Sequence, residues 1–141
     1  MRVLALDLGS RRIGLAISDE AGAFAFPAGV VERRGRRHDL AAVAEVARKR
    51  GADRILVGLP LHLDGREGRG AAEARRIARE LGALTGLPVD LFDERLTTRQ
   101  AATGLRELGV RPSRRRGDLD AAAAAILLRT WLEAGGPERD R

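Results

Sequence analysis

Three strand-length apolar runs open the chain before any helical period appears, and this order limits the possible folds more than any other feature. Arg2 to Leu8 is a continuous apolar run, Gly9-Ser10-Arg11-Arg12 makes a turn, and Ile13 to Ser18 reads as a second strand. A turn over Asp19 to Ala23 leads to a third extended run, Phe24 to Glu32. Pro27 within it predicts an edge position or a bulge, because proline cannot donate to a sheet ladder. Short turns between successive strands give an antiparallel meander.

After the basic loop Arg33 to Arg37 the period changes. Asp39 is placed to cap a helix whose Leu40, Val43, Val46 and Ala47 recur at helical spacing. Arg54 to Leu59 (RILVGL) is a buried-type strand ended by Pro60, and the charged, glycine-rich stretch His62 to Gly70 is a loop. Ala71 to Leu84 forms a second helix, stopped by Gly86 and Pro88 before the strand Val89 to Phe92. Thr97 to Leu108 predicts a third helix, Gly109 to Gly117 a basic loop, and Leu119 to Ala134 the last helix. A meander followed by β-α-β crossovers is an α/β arrangement: three antiparallel strands, then two parallel strands, in one mixed sheet flanked by helices. A length of 141 residues suits one domain, residues 1–134, with a loose tail over 135–141.

Composition narrows the chemistry. There is no cysteine, so disulfides and thiolate catalysis are excluded and a reducing, cytoplasmic location is expected. No apolar run approaches the roughly 20 residues that span a bilayer. The start MRVLALDLGSRR carries an aspartate inside its apolar stretch, which is wrong for a signal peptide. The net charge is +6 and the pI about 11.3, with Lys49 the only lysine. An arginine-rich surface of that charge is either merely solvated or suits a polyanionic partner, because neutralising phosphates releases counterions. At 3% aromatic residues, base stacking is not the main binding mode.

Against this background, acids recur where strands or helices begin or end. Asp7 closes VLALDLG, Asp93-Glu94 closes VDLFDE, and Asp118 and Asp120 stand before the run AAAAAILLRTWL. A carboxylate inside an apolar run is costly unless it is paired, bound to metal, or at the strand's open end. Asp7 therefore reads either as the start of the turn at Gly9 or as part of a site. Gly9 and Gly14 allow close approach of a ligand or a neighbouring strand. Alternation sends Asp93 and Glu94 to opposite sides, so only one faces Asp7, and Arg95 can neutralise a carboxylate there. Helical phase aligns Asp118 with Ala122, Ala125 and Arg129, a stripe leading to solvent. It aligns Asp120 with Ala123, Ala124, Leu127 and Trp131, a stripe facing the sheet. Asp118 then reads as an N-cap and Asp120 as the inward acid. His38 and His62 lack metal-ligand spacing and read as surface residues. The glycines from Gly58 to Gly70 match neither a dinucleotide fingerprint nor a phosphate loop. Arg114-Arg115-Arg116 are either solvated or, beside a metal site, steer a phosphate backbone.

The segments DLGSRRIGLA, VGLPLHLDG, DERLTT and DLDAAAAAILL, in this order and spacing, resemble the YqgF/RuvX family of ribonuclease H-like proteins over residues 2 to about 133. The resemblance implies a ribonuclease H-like fold and a nuclease. It implies either maturation of the 5′ end of pre-16S ribosomal RNA or, by similarity to RuvC, resolution of Holliday junctions. Asp7 matches the first-strand aspartate, Glu94 the acid after the later strand, and Asp120 the acid opening the last helix. Arg12 and Arg95 match the basic partners of the first and third motifs. His62 departs from a common asparagine and Ala122 from a larger aliphatic. The preference for Glu94 over Asp93 rests on the resemblance.

The expected chemistry is hydrolysis of a nucleic-acid phosphodiester, with Asp7, Glu94 and Asp120 holding Mg²⁺ or Mn²⁺, since hard cations prefer carboxylate oxygen. Asp93 and Asp118 are the second choices as ligands. Arg12, Arg95, Arg114, Arg115 and Arg116 would contact phosphates. The partner is precursor ribosomal RNA or structured DNA, and the protein a monomer or homodimer, since symmetric junction cleavage needs two copies. Two other readings compete. An actin-like ATPase also opens with D-x-G and a hairpin but needs two lobes, and a nucleic-acid-binding assembly factor would carry a vestigial site.

Overall fold

The structure, a computed structural model, describes residues 1–95 and 116–138, and the side chains of 116–118 and 138 are not considered. Five strands form one sheet. They are β1 (Val3–Leu8), β2 (Arg12–Ser18), β3 (Ala25–Glu32), β4 (Arg54–Leu59) and β5 (Val89–Asp93), in the order β3-β2-β1-β4-β5. β1 pairs antiparallel with β2 and parallel with β4, so it is central, and β4 pairs parallel with β5. This is the mixed sheet expected from the order of the runs, and the ribonuclease H-like fold that the resemblance implies.

β3 is an edge strand, and its register on β2 shifts between Gly14 and Ala16, next to the Ala16–Pro27 pair. Both predicted consequences of Pro27 are thus present together.

Alternation along the strands divides the core. Leu4, Leu6, Ile13, Leu15, Ile55 and Val57 point to one face, covered by α1 (Arg36–Arg50) and α2 (Arg69–Thr85). Val3, Ala5, Ala16, Leu56 and Phe92 point to the other, covered by α3 (Arg116–Glu133). Trp131, 1% exposed, is the largest side chain of that second core, and burying an aromatic of this size contributes roughly 3 kcal/mol. At the start of β1 the Ser18 hydroxyl accepts the Val3 N–H at 2.8 Å, which satisfies a polar group within the buried layer.

Two helix starts differ from expectation. α1 begins at Arg36, so Asp39 lies inside the first turn and does not cap by position. Its carboxylate reaches back to accept the Arg34 N–H at 3.0 Å. α3 begins at Arg116, so Asp118 is its third residue and not an N-cap. The stripe assigned to solvent is also corrected, because Ala122 and Ala125 are fully buried while Ala123 is only partly so. The cause is that α3 covers most of the sheet face, against β1, β2 and β3, so almost its whole circumference is enclosed. The predicted helix Thr97 to Leu108, and Arg114 and Arg115, lie outside the described residues, as do the side chains of Arg116 and Asp118. Within the segment expected to be a loose tail, Gly136–Glu138 form a 3-10 turn, where buried Gly136 sits against the Trp131 ring.

Candidate active site

The site is built at the C-terminal end of β1, on the α3 face. Val3 and Ala5 point to that face, so alternation sends Asp7 there as well. Asp7 lies opposite Gly14 on β2. A Cβ on Gly14 would stand only 2.0 Å from the Asp120 carbonyl oxygen. This glycine is what lets α3 descend onto the sheet beside Asp7. The close neighbour at Gly14 is therefore a helix backbone, whereas the sequence suggested a ligand or a strand.

Glu94 arrives from the other side. It follows β5 directly, and β4 lies between β5 and β1. Its side chain crosses β4 over Gly58, where a Cβ would meet Glu94 Oε1 at 2.5 Å and Cγ at 2.9 Å. Having crossed, it hydrogen-bonds to Asp7. Burial raises the pKa of both carboxyls. Glu94 is pushed up to about 8, first by burial, then by the bond to Asp7 and by the Asp7 and Asp93 charges. Asp7 is raised by burial and by the Asp120 charge, and the bond from Glu94 works in the opposite direction. Both carboxyls thus favour retention of a proton, Glu94 the more strongly, and the Asp120 charge pushes Asp7 in the same direction.

Asp93 turns away into a fork with Arg95. The Arg95 Nη2 donates to Asp93 Oδ2 at 2.7 Å, its Nε to Oδ1 at 3.0 Å, and its backbone N–H to Oδ1 at 2.9 Å. These bonds hold the Asp93 carboxyl below the usual carboxylate range. The remaining Arg95 nitrogen, Nη1, donates to the Leu63 carbonyl at 3.1 Å, which fastens the glycine-rich loop to the end of β5. The structure thus brings Asp7, Glu94 and Asp120 together and keeps Asp93 apart. Arg12 is tied to Glu32 at 2.8 Å. A cavity of about 410 Å³ opens beside Asp120, lined by Gly9, Ser10, Arg11, Arg12 and Leu119.

Sequence reasoning placed Gly58 in a stretch that could line a cleft but missed its contact with Glu94, and it missed Arg11 and Ser10. Gly58 had a signal, a glycine in the middle of the buried strand RILVGL, where lost packing needs a reason. Arg11 and Ser10 gave none beyond lying in the turn after Asp7.

Among the described residues, no group of three His, Cys, Asp or Glu side chains is arranged to hold a metal ion. The donor chemistry nonetheless fits a divalent cation. Two half-buried carboxyls, both with raised pKa, face each other where such a cation would displace a proton, and the charge of a third acid on α3 reaches Asp7.

A pH prediction follows. Glu94 keeps a proton in the folded protein up to about 8 and loses it in the unfolded chain near the ordinary glutamate value of 4.5. Between these values the folded state binds more protons, so stability is greatest below the lower value and falls as pH rises through the upper one. In metal-free buffer the melting temperature is expected to fall from pH 5 to pH 9, and Glu94→Gln to flatten that part of the slope. An equal slope in wild type and variant would contradict the proton assignment.

A ribonuclease H-like sheet with acids at the end of its central strand suits a nuclease, and comparison with known proteins shows that class. The RuvX family, described as Holliday junction resolvase, matches residues 1–134, and the chain belongs to it. A protein of Anaeromyxobacter dehalogenans (strain 2CP-C) named "Putative pre-16S rRNA nuclease" is 50% identical, over 97% of this chain and 100% of its own length. One of the same name from Myxococcus xanthus (strain DK1622) is 42% identical, over 97% of this chain and 91% of its own. Thermus thermophilus RuvC, solved with a Holliday junction substrate, superposes with a TM-score of 0.63 at 17% identity, covering 96% of this chain and 97% of RuvC. The fowlpox virus Holliday junction resolvase superposes at 0.58 with 10% identity, over 95% and 99% of the two chains. These two superpositions establish the fold. Among the described residues, no helix is long and apolar enough to cross a membrane.

Proposed function

We propose that the chain is a divalent-metal-dependent nuclease acting on precursor 16S ribosomal RNA at its 5′ end. The observation that carries the chemistry is the half-buried Asp7–Glu94 pair with Asp120 beside it, since nothing structural requires two acids to be partly desolvated together at a strand end. Asp7, Glu94 and Asp120 are the residues that would hold Mg²⁺ or Mn²⁺. The cation would supply an activated water and charge stabilisation for the leaving oxygen. The protein's own part is to orient the acids. Gly58 and Gly14 fix two of them by close backbone approach, and Arg11 and Arg12 line the adjoining cavity as phosphate contacts. Arg95 acts by holding Asp93 and the 62–63 loop in place. The choice of ribosomal RNA is supported by the names of the relatives at 40–50% identity. Resolution of four-way DNA junctions, favoured by the family's description and requiring a dimer, is the second reading. The protein is read as a cytoplasmic single domain over 1–134.

Purified protein with Mg²⁺ or Mn²⁺ would be given precursor ribosomal RNA, single-stranded RNA and a four-way DNA junction, with a chelator control. Cleavage confined to the precursor and lost on chelation is expected. Cleavage of the junction alone would move the assignment to the second reading, and cleavage of no substrate would reject the nuclease.

A further inference from the structure

A second cavity, of about 610 Å³, lies at the same end of the sheet but on the opposite face, between the β1–β2 turn, α1 and α2. Its floor is aliphatic and includes Leu8, Ile13 and Ile77. Its rim carries the guanidinium groups of Arg33, Arg36 and Arg76. Leu8 neighbours Asp7 and points to the other side of β1, so the two cavities stand back to back. Gly9 and Ser10 line both of them, and the turn is their common wall.

The rim is built. Arg33 Nη1 donates to the Gly9 carbonyl at 2.8 Å and to Glu73 at 3.1 Å, and its Nε stands 3.6 Å from buried Asp39. This fixes the turn against α1 and α2 and uses up the charge of Arg33. Arg36 is only loosely engaged, 3.4 Å from Glu80 and 59% exposed. Arg76 is exposed and makes no ion pair with any described residue. An apolar floor with Arg76 unpaired among the described residues and Arg36 held only by an exposed ion pair at its rim suits a ligand with a flat, weakly polar body and an anionic end, and the volume falls in the range of ligand pockets. From this we infer that the cavity binds a nucleoside phosphate, the base on the aliphatic floor and the phosphate on Arg36 and Arg76. The shared turn gives two sources for that ligand, a free mononucleotide or one nucleotide of a strand that crosses Gly9-Ser10 toward Asp120. Only the second source depends on the nuclease reading.

Binding would be measured without metal, so that cleavage plays no part, using AMP, UMP and a fluorescent single-stranded RNA 12-mer. Wild type is expected to bind at least one class of probe, and Arg76→Glu to weaken it by roughly tenfold, as loss of a charge-assisted phosphate contact should. Arg36→Gln should weaken it in the same direction. Arg48→Glu, an equal charge change at the far end of α1, should alter it by less than about twofold. Binding of the 12-mer alone assigns the cavity to a strand, and binding of AMP or UMP to a free nucleotide. If no probe binds, or if Arg76→Glu and Arg48→Glu weaken binding equally, the site does not exist. Loss of nuclease activity in the presence of metal would leave either result standing.

Discussion

Replacing Asp7 by asparagine is expected to lower cleavage by at least about a thousandfold on whichever substrate the wild type cuts, equivalent to about 4 kcal/mol of transition-state stabilisation. The size follows from position. Asp7 is on the central strand, within hydrogen-bonding reach of Glu94 and in the field of Asp120, so it is the one acid that touches both others electrostatically. Asparagine has the same shape and can still accept from Glu94, while it removes a charge that burial penalises. The variant should therefore fold, melting no lower than wild type near neutral pH. A melting curve run beside the activity assay separates lost chemistry from lost structure. Retention of activity in this folded variant would remove Asp7 from the site.

The second large effect is on stability. Gly14→Ala places a Cβ 2.0 Å from the Asp120 carbonyl oxygen and 2.5 Å from its carbon, both backbone atoms that no rotamer change can move. α3 must lift from β2, and overpacking of this kind costs about 3 kcal/mol. For a domain of this size that corresponds to a fall in melting temperature of about 10 °C. Activity should drop further than the melting temperature explains, because the helix that shifts carries Asp120. A melting temperature within about 2 °C of wild type would show that α3 does not rest on Gly14.

The sequence carried the architecture well and the site only partly. Strand-length runs, the proline in the third of them and the change of period after Arg33 are local signals, and each maps to an element found in the sheet. The choice between Asp93 and Glu94 was not local. Alternation separated them but could not say which side held Asp7, because that depends on β4 lying between β5 and β1 and on a glycine at 58. The phase argument at the last helix reached Asp120, which does lie beside Asp7, through a premise that fails. A helix enclosed on most sides has no solvent stripe, so Ala122 and Ala125 are as buried as Ala124 and Leu127. Asp120 is placed instead by the Gly14 contact, a tertiary fact with no helical period.

The three acids come from residue 7, from residue 94 and from residue 120, and the central strand that bears the first is flanked by strands made early and late. During synthesis the meander of β1 to β3 can form as soon as it emerges, yet it holds only one of these three acids. Glu94 cannot cross Gly58 until β4 and β5 have docked, and Asp120 is translated some 25 residues after Glu94. An unfinished chain still on the ribosome is therefore chemically incomplete. A nuclease assembled this way would hold its three proposed site acids together only after residue 120 has been made and α3 has docked on Gly14.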